Sequence, residues 1–322
     1  MSTFTPRGVT GLSLPSVPAT GIGMRAGSSN RALAGAPRLH RFNHVQQFGQ
    51  VAGVSTNLDP ANAVPWWNMP TGQIEIAQAT LWDGVPGVVV TSESARYVYD
   101  SIGGGFSALF DRMGNDWISY SGASGSSGKF RGIPNMVFRG RSQPNNHFHP
   151  GHRKEWSCTT EVTRGPDGSV TIESRVGERW QVRWDIDHNG ARFTTEKIDP
   201  DDAPHWFLYE GTPGGHFRLR DRSIRSDRHE ARLAKSWESS TTMIDWVAFA
   251  SKKAHRSLLF KWDSPETVPI SYYPMKPMTV FGLGRRLGSV ESHLTSSSSV
   301  TMTFVESTSF DGLSEAAKTT AD

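Results

Sequence analysis

Residues 169–199 read SVTIESRVGERWQVRWDIDHNGARFTTEKID and decide the fold class. Apolar and polar residues alternate in three short segments of this stretch, which is the period of a β-strand with one buried face. Asn189-Gly190, a preferred hairpin turn, separates the second segment from the third. The stretch therefore predicts consecutive antiparallel strands.

Similar strand-like segments continue on both sides of this stretch. Short segments rich in Val, Ile, Thr, Phe, Tyr and Trp run from residue 73 to about residue 308, and Gly, Pro and Asp turns separate most of them. This pattern predicts an all-β protein, a large antiparallel β-sandwich of jelly-roll or related type over residues 71–310, followed by a C-terminal tail, 311–322. Two segments favour a helix: residues 221–237 and LSEAAKTTA near the C-terminus.

The composition narrows the class of protein further. No stretch approaches the roughly 18 apolar residues of a spanning helix, and the first residues, MSTFTPRGVTG, lack the pattern of a secretory signal. We therefore expect neither a membrane span nor a signal peptide. Cys158 is the single cysteine, so an intrachain disulfide and a zinc site built on thiolates are excluded.

Residues 1–70 differ from the rest of the chain in composition and charge. They contain five arginines, no lysine and one acidic residue, Asp59, and are dominated by Gly, Ala, Ser and Pro. Such a segment buries too little apolar surface to fold alone. We predict an extended basic arm that docks on other subunits of a larger assembly, with a homo-oligomer as the expected state. We do not expect nucleic acid as a partner, because aromatic residues do not interleave the sparse arginines.

Two loop motifs between residues 128 and 152 carry candidate chemistry. GKFRGIPN (128–135) places Arg131 on a stiff turn, where a guanidinium can hold a sugar carboxylate in a bidentate fork. In NNHFHPGH (145–152), His147 and His149 would point to the same side of an extended strand. With His152 they could ligate a divalent metal ion, and His147 could contact a sugar. One of the three could instead be a general base near neutral pH.

Two later motifs combine aromatic rings with ionisable groups. In HWFLYEGTPGG (205–215), Trp206 could stack on a sugar while Glu210, at the end of the strand, binds hydroxyls or transfers a proton. ISYYPM (270–275) holds Tyr272 and Tyr273, which we expect to contact substrate. For every motif the competing interpretation is structural. Arg131 would pair with an acid or be solvated, and the histidines would bind backbone carbonyls. Glu210 would be a solvated residue of a capped hairpin, and the two tyrosines would pack at a sheet edge.

The motifs FSALFDRMGNDWISY, GKFRGIPN, HFHPG, WFLYEGTPGG and MTVFGLGR resemble those of bacterial β-sandwich proteins related to polysaccharide lyases and mutarotase-like sandwiches. The resemblance covers about residues 74–308 and keeps the order of the motifs. It implies a mutarotase-like β-sandwich with a carbohydrate ligand, and it supplies no catalytic residues. The arginine-rich segment 218–232 is unusual for this group.

Together these features predict a glycan-directed β-sandwich anchored through residues 1–70 to a larger assembly. The expected setting is a virion or an extracellular surface, where the chain would be a receptor-binding or depolymerase-type component of a phage, and the partner a polysaccharide or cell-surface glycan.

The alternative is a free enzyme acting on an acidic polysaccharide. In a lyase, Arg131 would neutralise the substrate carboxylate, His149 or Tyr120 would abstract the proton, and Glu210 would assist. A glycoside hydrolase would need a second carboxylate near Glu210. The acids considered for that place are Asp111 and Asp116.

Overall fold

The computed structural model describes most of the chain beyond residue 69. The described residues are 70–139, 144–154, 157–201, 204–228, 231–239, 244–252, 254–263, 268–287, 292–307, 309 and 311–321. The predicted arm, residues 1–70, therefore lies outside them except for Pro70.

Nineteen strands and one α-helix form the described part of the chain. The strands are β1 (Glu75–Thr80), β2 (Pro86–Thr91), β3 (Ala95–Asp100), β4 (Gly105–Asp111), β5 (Met136–Arg139), β6 (Pro144–His147), β7 (Thr159–Arg164), β8 (Val170–Val176), β9 (Trp180–Ile186), β10 (Ala191–Lys197), β11 (His205–Gly211), β12 (Arg222–Arg225), β13 (Arg232–Leu233), β14 (Trp237–Ser239), β15 (Trp246–Ser251), β16 (Arg256–Asp263), β17 (Ile270–Met275), β18 (Met278–Leu283) and β19 (Ser299–Glu306). The helix is α1 (Leu313–Ala321).

The strands form three antiparallel sheets. A nine-stranded sheet has the order β13-β12-β15-β16-β19-β10-β9-β8-β7, a six-stranded sheet β14-β17-β18-β11-β5-β6, and a four-stranded sheet β1-β2-β3-β4. Two short bridges join the smaller sheets: Phe106 of β4 pairs with Ile133, and Gly132 pairs with Glu210 of β11. These two sheets therefore form one layer, and the nine-stranded sheet forms the other.

The core lies between these two layers, and strands such as β8, β9 and β10 bury alternate side chains in it. Along β9, Trp180, Val182 and Trp184 are buried, while Gln181 and Arg183 between them are half-buried. Ring contacts cross the layers: Phe193 of β10 lies 5.2 Å from Phe207 of β11, and Phe106 lies 4.5 Å from Trp184. The predicted all-β sandwich is confirmed, and period-two alternation is its physical cause.

The two helix predictions have different outcomes. LSEAAKTTA forms α1, which packs on the other face of the nine-stranded sheet. The prediction for residues 221–237 is wrong: its described part contains β12 and β13 and the first residue of β14. The segment forms edge strands because its apolar residues pack with those of β15. Ile224 of β12 pairs with Ala248, and both side chains are buried in one cluster. No helix in the described ranges has the length and apolarity needed to span a membrane.

Candidate functional site

Polar groups gather on the layer formed by the two smaller sheets, on its face that is turned away from the nine-stranded sheet. On β11, Phe207 and Tyr209 point into the main core, so Trp206, Leu208 and Glu210 point to this outer face. Here we call Asn135, Trp206, Glu210, Tyr273 and Arg285 the carboxylate region. We call Tyr120, His149, Gly151 and His152 the histidine region.

Glu210 is the centre of the carboxylate region. Its side chain is buried, and Asn135 Nδ2 donates a hydrogen bond of 2.5 Å to Glu210 Oε2. Burial raises the pKa of the Glu210 carboxyl to about 7, although the Asn135 hydrogen bond and the positive charge of Arg285 oppose the rise. A carboxyl with this pKa can give or take a proton near neutral pH.

Arg285 packs between two aromatic rings of the same region. Its guanidinium lies 5.2 Å from the Trp206 ring centre and 4.9 Å from that of Tyr273. Arg285 Nη2 also donates to the Tyr273 hydroxyl at 3.3 Å. The stacking orients the cation without consuming its remaining N–H groups.

The carboxylate region holds several buried polar atoms that have no hydrogen-bond partner within the described part of the chain. These atoms are Asn135 Oδ1, Trp206 Nε1, Arg285 Nε and Arg285 Nη1. A buried donor or acceptor without a partner is costly and uncommon. One acceptor and three donors beside a buried carboxyl match a ligand rich in hydroxyl groups, because each hydroxyl both donates and accepts.

The histidine region is built on the loop that follows β6. The His149 ring is buried, and its Nε2 donates to the Phe130 carbonyl at 3.1 Å. Since a carbonyl oxygen only accepts, the neutral ring carries its hydrogen on Nε2. Burial lowers the pKa of His149 to about 4, so the imidazole is neutral at pH 7.

Tyr120 and His152 complete this region around the His149 ring. The ring centres of Tyr120 and His152 lie 6.2 and 5.0 Å from that of His149. Tyr120 also packs on Trp82 at 4.5 Å, and its hydroxyl fills the space that a Cβ at Gly151 would need. Burial, with the neighbouring imidazoles, lowers the pKa of His152 to about 3.

Asp100 at the end of β3 fixes the loop that bears these histidines. Its buried carboxylate accepts hydrogen bonds from the backbone N–H groups of Ile102, Gly103 and Gly151, at 2.8–3.0 Å. Arg153 adds an ion pair at 2.9 Å. One carboxylate therefore ties the glycine turn before β4 to the His-Pro-Gly-His loop.

Gly132 is the seam between the two regions. It pairs directly with Glu210 across an antiparallel bridge, so a side chain at residue 132 would lie on the same face as that of Glu210. Pro150 and the His149 ring occupy that space: a Cβ there would lie 2.6 Å from Pro150 Cδ and 3.0 Å from His149 Cδ2. Only glycine lets the histidine loop lie beside Glu210.

Arg131 has a different placement from the one predicted. Its Nε and Nη1 donate to the carbonyls of Ser126 and Ser119, both at 3.0 Å, and its Nη2 donates to that of Pro277 at 3.3 Å. These bonds join loop 119–131 to the β17–β18 hairpin. Arg131 is thus a structural clamp, and Arg285 is the cation beside Glu210.

Two of the residues predicted to contact substrate, Tyr272 and His147, have apolar aromatic neighbours in the structure, and their contact with substrate stays a prediction. Tyr272 points into the core, 5.2 Å from the ring of Phe249, while its neighbour Tyr273 points to the outer face, because adjacent strand residues alternate. His147 and His149 do not continue one extended face, since Phe148 between them has a left-handed φ of 53°. His147 lies instead against Trp180, at 6.1 Å, and burial lowers its pKa to about 4.

The acids considered as glycosidase partners have structural roles. Asp111 accepts from Asn115 Nδ2 and from Trp117 Nε1, each at 2.9 Å. Asp116 Oδ1 accepts from the backbone N–H groups of Leu109 and Ile118. Burial raises the pKa of Asp116 to about 6, but its oxygen serves the local turn.

The described residues give no support to a metal site on the three histidines. Within them, no group of three or more His, Cys, Asp or Glu side chains is placed to hold a metal ion. The role of His147, His149 and His152 as metal ligands stays a prediction.

The structure assembles Tyr120 with His149, and Trp206 with Glu210 and Tyr273, as two adjoining groups. Asn135 and Arg285 were not predicted as site residues, although they are the last residues of the motifs GKFRGIPN and MTVFGLGR. Their position at the end of a motif was the available signal, because residues just outside a strand often carry function.

Comparisons with known proteins give structural neighbours alone. No family model matches the sequence, and no curated protein matches it significantly. A galactose mutarotase-like protein from Clostridium acetobutylicum is 8% identical with a TM-score of 0.49, covering 73% of this chain and 99% of its own. Galactose 1-epimerase from Lactobacillus acidophilus is 8% identical with a TM-score of 0.42 and the same two coverages.

A galactose mutarotase-like protein from Lactobacillus casei is also similar, at 8% identity and a TM-score of 0.41, covering 68% of this chain and 99% of its own. The three names are those of two mutarotase-like proteins and a galactose epimerase, and none names a polysaccharide lyase. TM-scores below 0.5 assign neither a family nor a function to this chain.

Proposed function

We propose that this chain is a carbohydrate-directed protein that binds a saccharide in the carboxylate region, and that Glu210 transfers a proton to or from the bound sugar. The observation that carries the proposal is the buried Glu210 carboxyl, whose pKa of about 7 lies in the range where a general acid or base is most effective.

The surroundings of Glu210 supply the other requirements of sugar recognition. Trp206 and Tyr273 provide aromatic surface, and Arg285 is held against both rings. Asn135 Oδ1 and the two free nitrogens of Arg285 lack partners within the described residues. A saccharide satisfies such atoms with its hydroxyls while its apolar ring face meets the aromatic surface.

Glu210 would act alone as the carboxyl group of the reaction. In a glycosidase two carboxyl groups flank the bond that is cleaved, but Asp111 and Asp116 are bound within their own turn. A lyase mechanism is the second candidate, and in it Arg285 rather than Arg131 would lie near the substrate carboxylate. A docking role of residues 1–70 in a phage or similar assembly stays a proposal from the sequence.

The test is a binding and turnover screen on the full chain. Saturation-transfer NMR with a panel of neutral and uronic monosaccharides and oligosaccharides measures binding. Exchange NMR between the anomers of each bound sugar, and ultraviolet absorbance from new double bonds, measure proton transfer. We expect at least one sugar to bind, and we expect Glu210→Gln to lower its turnover by about 100-fold or more.

The controls separate the site from general folding effects. Tyr273→Phe removes one hydroxyl from the carboxylate region and should weaken sugar binding, whereas Tyr120→Phe makes the same change in the histidine region and should not. Glu173→Gln, on β8 in the opposite layer, should leave turnover unchanged. The proposal fails if no sugar of the panel binds, or if Glu210→Gln turns over as fast as the unchanged protein.

A further inference from the structure

A basic pocket lies at the open edge of the sandwich, away from Glu210. Strands β12 and β13 end the nine-stranded sheet, and β14 ends the six-stranded sheet. Between these edges is a cavity of about 530 Å³ lined by Arg225, Arg228, Arg232, Lys235 and Trp237, with two serines and a leucine. Its volume is in the range of small-molecule sites.

Arg225 and Trp237 form the rigid inner wall of this basic pocket. Arg225 is 5% exposed and pairs with Val247 of β15, whose side chain belongs to the main core. Its guanidinium lies 4.7 Å from the Trp237 ring centre, and its Nε donates to Asp227 at 2.8 Å. A cation held by stacking and by an ion pair is already oriented before a ligand arrives.

The charge of the basic pocket is strongly one-sided. Four of the lining residues are cations, and no carboxylate is among those that the structure describes there. The nearby Asp227 is engaged by Arg225 and lies 3.9 Å from Arg228. Trp237 Nε1 is buried and lacks a hydrogen-bond acceptor within the described ranges. An unused buried donor among four cations calls for an acceptor that carries negative charge.

We propose that the basic pocket binds a tetrahedral oxyanion, a phosphate or sulfate group carried by a small ligand. The oxygens of such a group accept several hydrogen bonds at once, from guanidinium and ammonium groups and from the indole N–H. The two pocket serines, Ser223 and Ser236, add hydroxyl donors. This proposal uses the arginine-rich segment 218–232 and does not depend on the function of Glu210.

Calorimetric titration of the full chain with inorganic phosphate and with sulfate tests the proposal. Saturable binding of either anion, weakened by added salt because charges attract it, is the expected result. Titration with an organic phosphomonoester and with the matching free alcohol then distinguishes an isolated anion from an anionic group on a larger ligand. Of these last two ligands, the phosphomonoester should bind and the free alcohol should not.

Charge-neutralising variants locate the binding. Arg228→Gln with Lys235→Gln removes two exposed cations of the basic pocket and should weaken anion binding at least 10-fold. Arg112→Gln with Lys252→Gln removes two exposed cations elsewhere and should not. Near-ultraviolet circular dichroism checks that both variants fold.

Glu210→Gln should bind the anion as the unchanged protein does, which separates this site from the sugar site. The proposal is wrong if neither anion binds saturably, or if the pocket variant binds as tightly as the unchanged protein.

Discussion

The histidine region and the carboxylate region lie side by side on one face, yet they use their polar atoms differently. In the histidine region His149 donates to the Phe130 carbonyl, and Asp100 binds the loop backbone. In the carboxylate region two nitrogens of Arg285 lack acceptors among the described residues. Among the described residues, the histidine region has one buried polar atom without a partner, His152 Nδ1, and the carboxylate region has four. The higher number of unsatisfied buried atoms around Glu210 favours the carboxylate region over the histidine region as the place for a ligand.

Substitution of Arg131 and of Arg285 is the most direct test of this difference between the two regions. Arg131→Met removes three hydrogen bonds to backbone carbonyls and should lower the free energy of unfolding by about 3–4 kcal/mol. Arg285→Met removes two buried N–H groups that lack described partners, which offsets the lost stacking, so its change should stay within about 1 kcal/mol. Urea unfolding measures both. Equal losses in the two variants would contradict the distinction between clamp and ligand group.

The pH dependence of stability tests whether the pKa of Glu210 is raised in the folded protein. The pKa of this carboxyl is about 7 in the folded protein against an ordinary value of 4.5. Between these values the folded state binds more protons than the unfolded chain, so the free energy of unfolding falls as the pH rises. Glu210→Gln removes this loss. Relative to the unchanged protein it should gain on the order of 2–3 kcal/mol between pH 4.5 and pH 8.

Urea unfolding of both proteins across that pH range measures the difference. Other groups cancel in it because they are the same in the two chains. Parallel curves would show that Glu210 titrates at its ordinary pKa, and the proton-transfer role would lose its basis.

The sequence predicts the sandwich because strand period and turn residues are local signals. β9 and β10 meet around Asn189-Gly190 as the alternation requires. The same alternation implies that only one of Tyr272 and Tyr273 can face a site, but which one depends on how β17 pairs with β18. That register comes from core packing between distant segments.

The roles of the two arginines could not be predicted for a related reason. Arg131 is held by a carbonyl 146 residues away in the chain, and no local pattern marks that contact. His147 and His149 are separated by Phe148, whose positive φ is uncommon for a bulky residue and is fixed by the buried ring. Tertiary contacts therefore decide which polar residues remain available to a ligand.

Gly132 tests whether the two regions depend on each other. Gly132→Ala would place a Cβ 2.6 Å from Pro150 Cδ and 3.0 Å from His149 Cδ2, so the histidine loop must shift. We expect a loss of about 1–2 kcal/mol in urea unfolding, together with weaker sugar binding, because the loop lies beside Glu210. Gly122→Ala is the matched control, since nothing lies within 4 Å of the added Cβ there. If Gly132→Ala loses stability but binds sugar like the Gly122→Ala control, the histidine loop has no part in shaping the sugar site, and the carboxylate region works without its neighbour.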